Sequence, residues 1–342
     1  MAMDARIDAT LYSLVDTTLI PHTTFNHTLK RIAQCFNAMS GSNDPVCIAI
    51  IGESRTGKSR ALEHFEISHP IQRLKSGIVA PFLRIRIPSK PTVKGLCEIL
   101  LHKLGDPLFD KGTENAKTLR LTRLLSEAGT IILALDEFQH FYDKTTRKVQ
   151  HHVTDWLKVL VDDAQIGLIV TGLPNCLSVI HQNEQLAGRF MAPVQLHRFD
   201  WMNASHRSDF LGILQGMRDA LNMFQMPDLG SEEMAFRFYC ATGGLIGYVA
   251  KILKQAVWNA TDAGECKIDL EGLGEAYREA VISEEKQLLT MPDPFTSEFS
   301  TIPDEAHLAK VREIGTPKLE EMPPPRQSKA AKMKIGEVLS AT

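Results

Sequence analysis

The chain has 342 residues, 44% of them apolar and 23% charged, with a formal net charge of −3. That is enough for a folded core of roughly 200 to 250 residues plus a smaller unit, and the near-neutral balance gives no compositional sign of a nucleic-acid coat, although a local basic surface can hide inside it. Six scattered cysteines with no Cys-x-x-Cys pair fit reduced, buried thiols better than disulfides or zinc; with no apolar leader and no run of about 18 apolar residues, the expectation is a cytoplasmic protein with no membrane partner.

Residues 22–40, HTTFNHTLKRIAQCFNAMS, predict a short helix capped by Thr24 or Asn26, inside an N-terminal helical extension spanning 1–44. VCIAII at 46–51 is a buried strand that runs into a glycine, and a helix follows from 58 to about 66. IVAPFLRIRI at 78–87 reads as a second strand. TVKGLCEILLHKLG is an amphipathic helix ended by Gly105, and NAKTLRLTRLLSEAG is another. TIILALDEF is a third strand, VQHHVTDWLKVLVDDA a helix, and IGLIVTG a fourth strand. EQLAGRF ends a short helix, and APVQLHRF supplies a fifth strand. Short apolar strands alternating with helices predict an α/β domain at 45–199, a parallel sheet covered on both faces. Helical patterns then dominate and predict a small all-helical domain at 200–290. Residues 291–342 contain many prolines and close on Arg326, Lys329, Lys332 and Lys334; they predict an extended, flexible tail for partner binding.

The chemistry starts at GESRTGKS, a full G-x-x-x-x-G-K-S match between a predicted strand and a predicted helix. Phosphate oxygens need many donors in a small concave space, and successive backbone N–H groups at a helix N-terminus supply them. The candidate nucleotide contacts are Gly52, Glu53, Ser54, Arg55, Thr56 and Gly57 in the loop, then Lys58, Ser59 and Arg60. Lys58 would hold the β and γ phosphates of ATP, and Ser59 would ligate Mg2+. IILALDEF places Asp136 and Glu137 at a strand end. Asp136 can reach the metal, and Glu137 can orient and activate the attacking water. A nucleotide switch without turnover needs no second acid there, so the pair favours hydrolysis over a merely solvated strand end.

Thr171, ending LIVTG, either contacts the γ-phosphate or its water or simply closes a strand before glycine. Arg189 in QLAGRF either projects into a neighbouring subunit's nucleotide site, offsetting charge on the transferred phosphoryl group, or is a solvated surface arginine. Lys90 and Lys94 follow the second strand; Lys144, Arg147 and Lys148 follow the third. Both groups leave the same edge of the sheet. They either contact a DNA backbone without reading sequence or form solvated faces. The histidines show no metal-ligand spacing, and no nucleophile motif is present.

Together these boxes resemble the AAA+ ATPases of transposition called TniB or TnsC, from Tn7-like and Tn5053-like elements. The likeness runs over roughly residues 25–290 and is carried by IGESRTGKSR, RIPSKPTVKGLCEILLHKLGDP, LALDEFQHF, VTGLP, EQLAGRF and GGLIGYVAKILKQAV. It implies an AAA+ P-loop core with a helical lid. Lys58 and Ser59 then belong to the phosphate loop, Asp136 and Glu137 to the metal and hydrolysis pair, with Thr171 as sensor and Arg189 as arginine finger. It also implies assembly as a hexameric or heptameric ring or a helical filament on double-stranded DNA. Such an assembly links a TniQ-type adaptor, in some members with an RNA-guided CRISPR effector, to a transposase of the TnsB/TniA type reached by the tail. Two departures stand out. Where many relatives carry paired arginines near the finger, this chain has Gly188-Arg189. Where AAA+ lids often place a sensor arginine, it has Gly247, with Lys251 one turn later as the candidate substitute. A weak lid contact implies slow hydrolysis, which suits a timing switch. The competing readings are a helicase-loader-like ATPase, an ATP-binding interaction switch with little turnover, and a STAND-type signalling ATPase, a class that usually carries long repeat or effector domains.

Overall fold

The computed structural model describes residues 5–41, 44–75, 77–144, 146–282 and 286–316. Among them, seven strands run in chain order as β1 (Cys47–Gly52), β2 (Gln72–Leu74), β3 (Gly77–Val79), β4 (Phe82–Arg86), β5 (Ile132–Asp136), β6 (Gly167–Gly172) and β7 (Val194–Leu196). Five form one parallel sheet in the order β4-β5-β6-β1-β7. Every residue of β1, β5 and β6 is buried, which is why these strands read as continuous apolar runs rather than alternating ones.

Their side chains still divide by parity between two layers. Ile48 and Ile50 meet Phe25 and Ile32 of α2 (Thr23–Gly41) and Leu62 and Phe65 of α3 (Lys58–Ser68). Cys47, Ala49 and Ile51 face the opposite layer, built from α4 (Val93–Lys103), α5 (Glu114–Glu127), α6 (His140–Lys144), α7 (Arg147–Ala164), α8 (Cys176–Ile180) and α9 (Glu184–Ala187). Because the chain leaves β1 for β4 at the far edge, a crevice opens beyond the carboxyl ends of the central strands, where open parallel sheets take their ligands.

The lid is a separate apolar cluster. It contains α10 (Ala204–Ala220), α11 (Glu232–Thr242), α12 (Ile246–Ala263) and α13 (Leu270–Tyr277). Helix α1 (Ala5–Thr17), which the sequence pattern did not single out, packs on α12 through buried Leu11 and Val15, and Trp258 Nε1 donates to the Tyr12 carbonyl at 2.9 Å.

Two expectations differ from the structure. The run 78–87 is not one strand. Pro81 has no N–H to give a ladder, so the chain breaks there; β3 turns back on β2 as an antiparallel hairpin, and only β4 joins the sheet. Residues 291–316 are not extended tail. Phe295 and, from α14 (Glu305–Val311) and just beyond it, Leu308, Val311 and Ile314 are buried in the lid cluster, and Arg237, buried itself, donates to the carbonyls of Pro294 at 2.6 Å and Thr296 at 2.8 Å. Single apolar anchors among prolines carry no period, so the pattern hid them. The basic residues from Arg326 to Lys334 lie outside the described residues. Among the described residues no helix is long and apolar enough to cross a membrane.

The cysteines are all free; five are buried and Cys266 is exposed. Burial pushes the thiols of Cys35, Cys47, Cys176 and Cys240 up to about 12 and that of Cys97 to about 11. Thiolate is the reactive form, so native alkylation at about pH 8 followed by peptide mass spectrometry is expected to mark Cys266 alone. Leu308→Ala should cost about 2–5 kcal/mol in chemical denaturation, because residues 304–314 complete the lid core; an unchanged midpoint would mean they do not.

Candidate nucleotide site

Residues 53–57 turn between β1 and α3. Gly52 is required by crowding: a Cβ there would lie 2.1 Å from the Leu196 carbonyl oxygen of β7. Gly57 caps α3 at φ +98°, a conformation that favours glycine. The Thr56 hydroxyl donates to the Glu53 carbonyl at 2.9 Å. The first N–H groups of α3 lack helical partners and face this turn, and the helix dipole favours an anion there. Lys58 curls over the loop and donates to the carbonyls of Gly52 at 2.9 Å and Glu53 at 2.5 Å. Burial lowers its ammonium pKa, and the nearby carboxylates of Glu137 and Asp136 oppose that shift.

Asp136 is 3% exposed. Its carboxylate accepts from the Thr171 hydroxyl, from the Glu137 backbone N–H at 3.0 Å and from Arg84 Nη1 at 3.4 Å. The Thr171 hydroxyl is therefore engaged with the acid. Arg84 is held in turn by Glu66 at 2.9 Å and Glu63 at 3.3 Å. Ser59, Glu63 and Asp136 border one polar cavity. A hydroxyl and a carboxylate are the hard oxygen donors that Mg2+ takes, so Ser59 and Asp136 fit the metal expected from the sequence. Glu137 adopts φ +62° and lines the main cleft together with Lys58, Ser59 and Arg86.

That cleft encloses about 770 Å3, within the range of small-molecule sites. Its phosphate-loop end is polar. Its other end is apolar and was not foreseen: Ile20, His22 and Phe25 from the N-terminal segment oppose Ile213 and Met217 of α10 and Ile246 of α12. His22 Nδ1 is buried there with no protein partner, and burial holds the imidazole pKa below its usual value. An apolar slot with one orphaned ring nitrogen, continuous with a phosphate cradle, suits a nucleoside triphosphate with a flat base. The N-terminal wall is strapped in place: Arg60 donates to the Asp16 carbonyl at 2.5 Å, and Lys254 of α12 pairs with the Asp16 carboxylate at 2.5 Å. Arg60 thus anchors the cleft wall.

The lid meets the loop at Arg55. The Gly247 N–H donates to the Arg55 carbonyl at 2.9 Å, and the Arg55 guanidinium lies 4.5 Å over the Tyr248 ring. Lys251 lies 6.0 Å over the same ring, and the α12 residues that line the cleft are Ile246, Gly247 and Ala250. Glu53 pairs with Arg198, whose guanidinium also donates to the carbonyls of Arg312 at 2.7 Å and Ile314 at 2.9 Å. Ser54 lines the cleft.

Arg189 stands apart from its own phosphate loop. Its carbonyl accepts from Cys47 N–H at the start of β1, the end of that strand remote from Gly52, and its side chain pairs with Asp162 at 2.7 Å. Lys90, Lys94, Arg147 and Lys148 are exposed on segments that leave the carboxyl ends of the neighbouring strands β4 and β5. Lys144 ends α6. Periodicity missed the apolar base end, Arg84 and Arg198, because each acts through a contact distant in sequence, and it missed Gln139, whose side chain bridges Glu137 and the Leu173 N–H.

The fold and this cleft define an AAA+ P-loop ATPase architecture. Similar solved structures are Cdc6p from Pyrobaculum aerophilum (TM-score 0.59, 15% identity, covering 82% of this chain and 74% of that one), the ORC2 protein of Aeropyrum pernix in ADPNP–ADP complexes (0.57, 14%, 78% and 71%) and the Aeropyrum pernix ORC1 protein in complex with DNA (0.52, 15%, 78% and 69%). No curated protein matches the chain. Residues 11–201 match the family described as bacterial TniB protein, and the chain belongs to the TniB family.

Gly247 shows why this lid carries no arginine at that point. A Cβ there would fall 2.7 Å from Arg55 Cβ and 3.1 Å from its carbonyl oxygen. Gly247→Arg is therefore expected to push the lid off the loop and weaken binding of a fluorescent ATP analogue by about 10-fold or more. Tighter binding would show that the lid simply lacks a sensor.

Proposed function

We propose that this protein is an ATP-hydrolysing switch that assembles on double-stranded DNA and links target choice to a transposase. The observation that carries the reading is that Lys58, Ser59 and Glu137 line one cleft while Ser59 and Asp136 border the polar cavity beside it, in a chain of the TniB family. Lys58 leaves the Gly52 and Glu53 carbonyls to hold the β and γ phosphates. Ser59 and Asp136 hold Mg2+, which supplies charge neutralisation on the phosphates when bound. Glu137 takes the proton of the attacking water.

Arg189 serves a neighbouring copy. It lies by the far end of β1 from its own phosphate loop, so the charge it offers goes to a second subunit's nucleotide once it exchanges Asp162 for phosphate. Nucleotide binding then favours a ring, hexameric or heptameric, or a helical filament. The exposed cations Lys90, Lys94, Arg147 and Lys148, with Lys144, track the DNA backbone; the fold's likeness to an ORC1 protein in complex with DNA supports this. A TniQ-type adaptor and a TnsB/TniA-type transposase are the partners, the latter reached by residues 317–342. A replication-type or helicase-loader-like ATPase is the second reading, favoured by the likeness to Cdc6p.

Electron microscopy of the protein with double-stranded DNA and a non-hydrolysable ATP analogue should show rings or filaments, and Lys58→Ala should abolish them. Glu137→Gln should keep the assemblies and lower turnover by about 100- to 10,000-fold. Arg189→Ala should leave analogue binding intact and lower turnover of the assembled form by on the order of 1,000-fold. Monomers under all conditions would overturn the assembly model.

A further inference from the structure

Gln139 lies two residues past Glu137, between β5 and α6, and is only 8% exposed. A buried carboxamide has to satisfy both its ends. Its Oε1 accepts from the Leu173 backbone N–H at 3.2 Å, and its Nε2 donates to Glu137 Oε2. This orientation is forced by the partners, since a backbone N–H can only donate and an ionised carboxylate can only accept. The loop after β6 is shaped around it: a Cβ on Gly172 would lie 2.7 Å from Gln139 Oε1 and 3.2 Å from its backbone nitrogen. The two oxygens of Glu137 therefore differ. Oε2 is gripped by a buried amide, whereas the partner of Oε1 is Arg86 at 3.6 Å, whose side chain is 74% exposed.

We propose that Gln139 is a positioning residue for hydrolysis. It fixes Glu137 through Oε2, leaves Oε1 to meet the attacking water, and ties that orientation to the backbone after β6. The inference rests on the reading of Glu137 as the general base. As the water oxygen bonds to the γ-phosphorus, its proton passes to Oε1. The bond from that phosphorus to the β–γ bridging oxygen breaks with its electron pair on the leaving ADP. Leu173 lines the nucleotide cleft and also the adjoining cavity beside Arg312 and Thr316. A shift of this loop thus reaches the base through a single side chain.

The test is steady-state ATP hydrolysis by the full chain on DNA, with thermal melting alongside. Gln139→Met, which removes both hydrogen bonds at similar volume, should lower kcat by about 10- to 100-fold, with KM for ATP within about 2-fold. In a Glu137→Gln background the same change should cost nothing further, because its effect passes through Glu137. Gln139→Glu provides a second readout should Gln139→Met not fold. It keeps the acceptor for Leu173 but places a carboxylate against Glu137, so its loss should be smaller at about pH 6 than at about pH 8, where the new group is more fully ionised. Wild-type kcat in a folded Gln139→Met, or an undiminished loss in the Glu137→Gln background, would overturn the proposal. Wild-type turnover by Glu137→Gln itself would instead remove the base beneath it.

Discussion

The centre of the α/β domain is organised by one buried charge. Asp136 ends a strand whose other residues are all apolar and buried, and a carboxylate in such a place is strongly unfavourable unless it is paired and hydrogen-bonded. Its donors come from three neighbouring strands or their ends: Arg84 on β4, the Glu137 N–H after β5 and Thr171 on β6. Satisfying the acid fixes the relative height of those strands at their carboxyl ends. It also recruits Glu63 and Glu66 on α3 through Arg84, so the helix that follows the phosphate loop is registered against the same carboxylate.

The cleft is closed by segments far apart in the chain. Asp16 joins α3 to α12 through Arg60 and Lys254. Arg198 joins the phosphate loop to the carbonyls of Arg312 and Ile314. Arg55 and Gly247 join the loop to the lid backbone. The family match ends at residue 201, yet Ile213, Met217 and Ile246 beyond it make one wall of the base end. The nucleotide cleft is thus a property of both units together.

The sheet was legible in the sequence because buried parallel strands leave a simple signature: VCIAII is apolar throughout, and IILALD and IGLIVTG are apolar up to Asp136 and Thr171. Chain order also displayed the phosphate loop and the acid pair, whose members are close in sequence. What stayed hidden depends on spatial neighbours. Nothing in FQHF says that Gln139 turns back on Glu137, and nothing in LHRF says that Arg198 reaches residue 312. Thr171 was recognisable as a polar strand end, but its bond to Asp136 follows from register. Residues 291–316 show the limit from the other side, since composition pointed to a tail while four buried apolar side chains anchor the segment.

Glu137 at φ +62° has a consequence for anyone who re-engineers this chain. A left-handed backbone suits glycine or asparagine and is uncomfortable for glutamate, at a cost on the order of 1–3 kcal/mol. With Glu137 as the proposed base, any procedure that improves the protein by backbone ease alone will write that glutamate out and return a tougher, inert molecule. On that proposal, thermal robustness and turnover pull in opposite directions at this one position, and a library sorted only for survival on heating will drift away from catalysis.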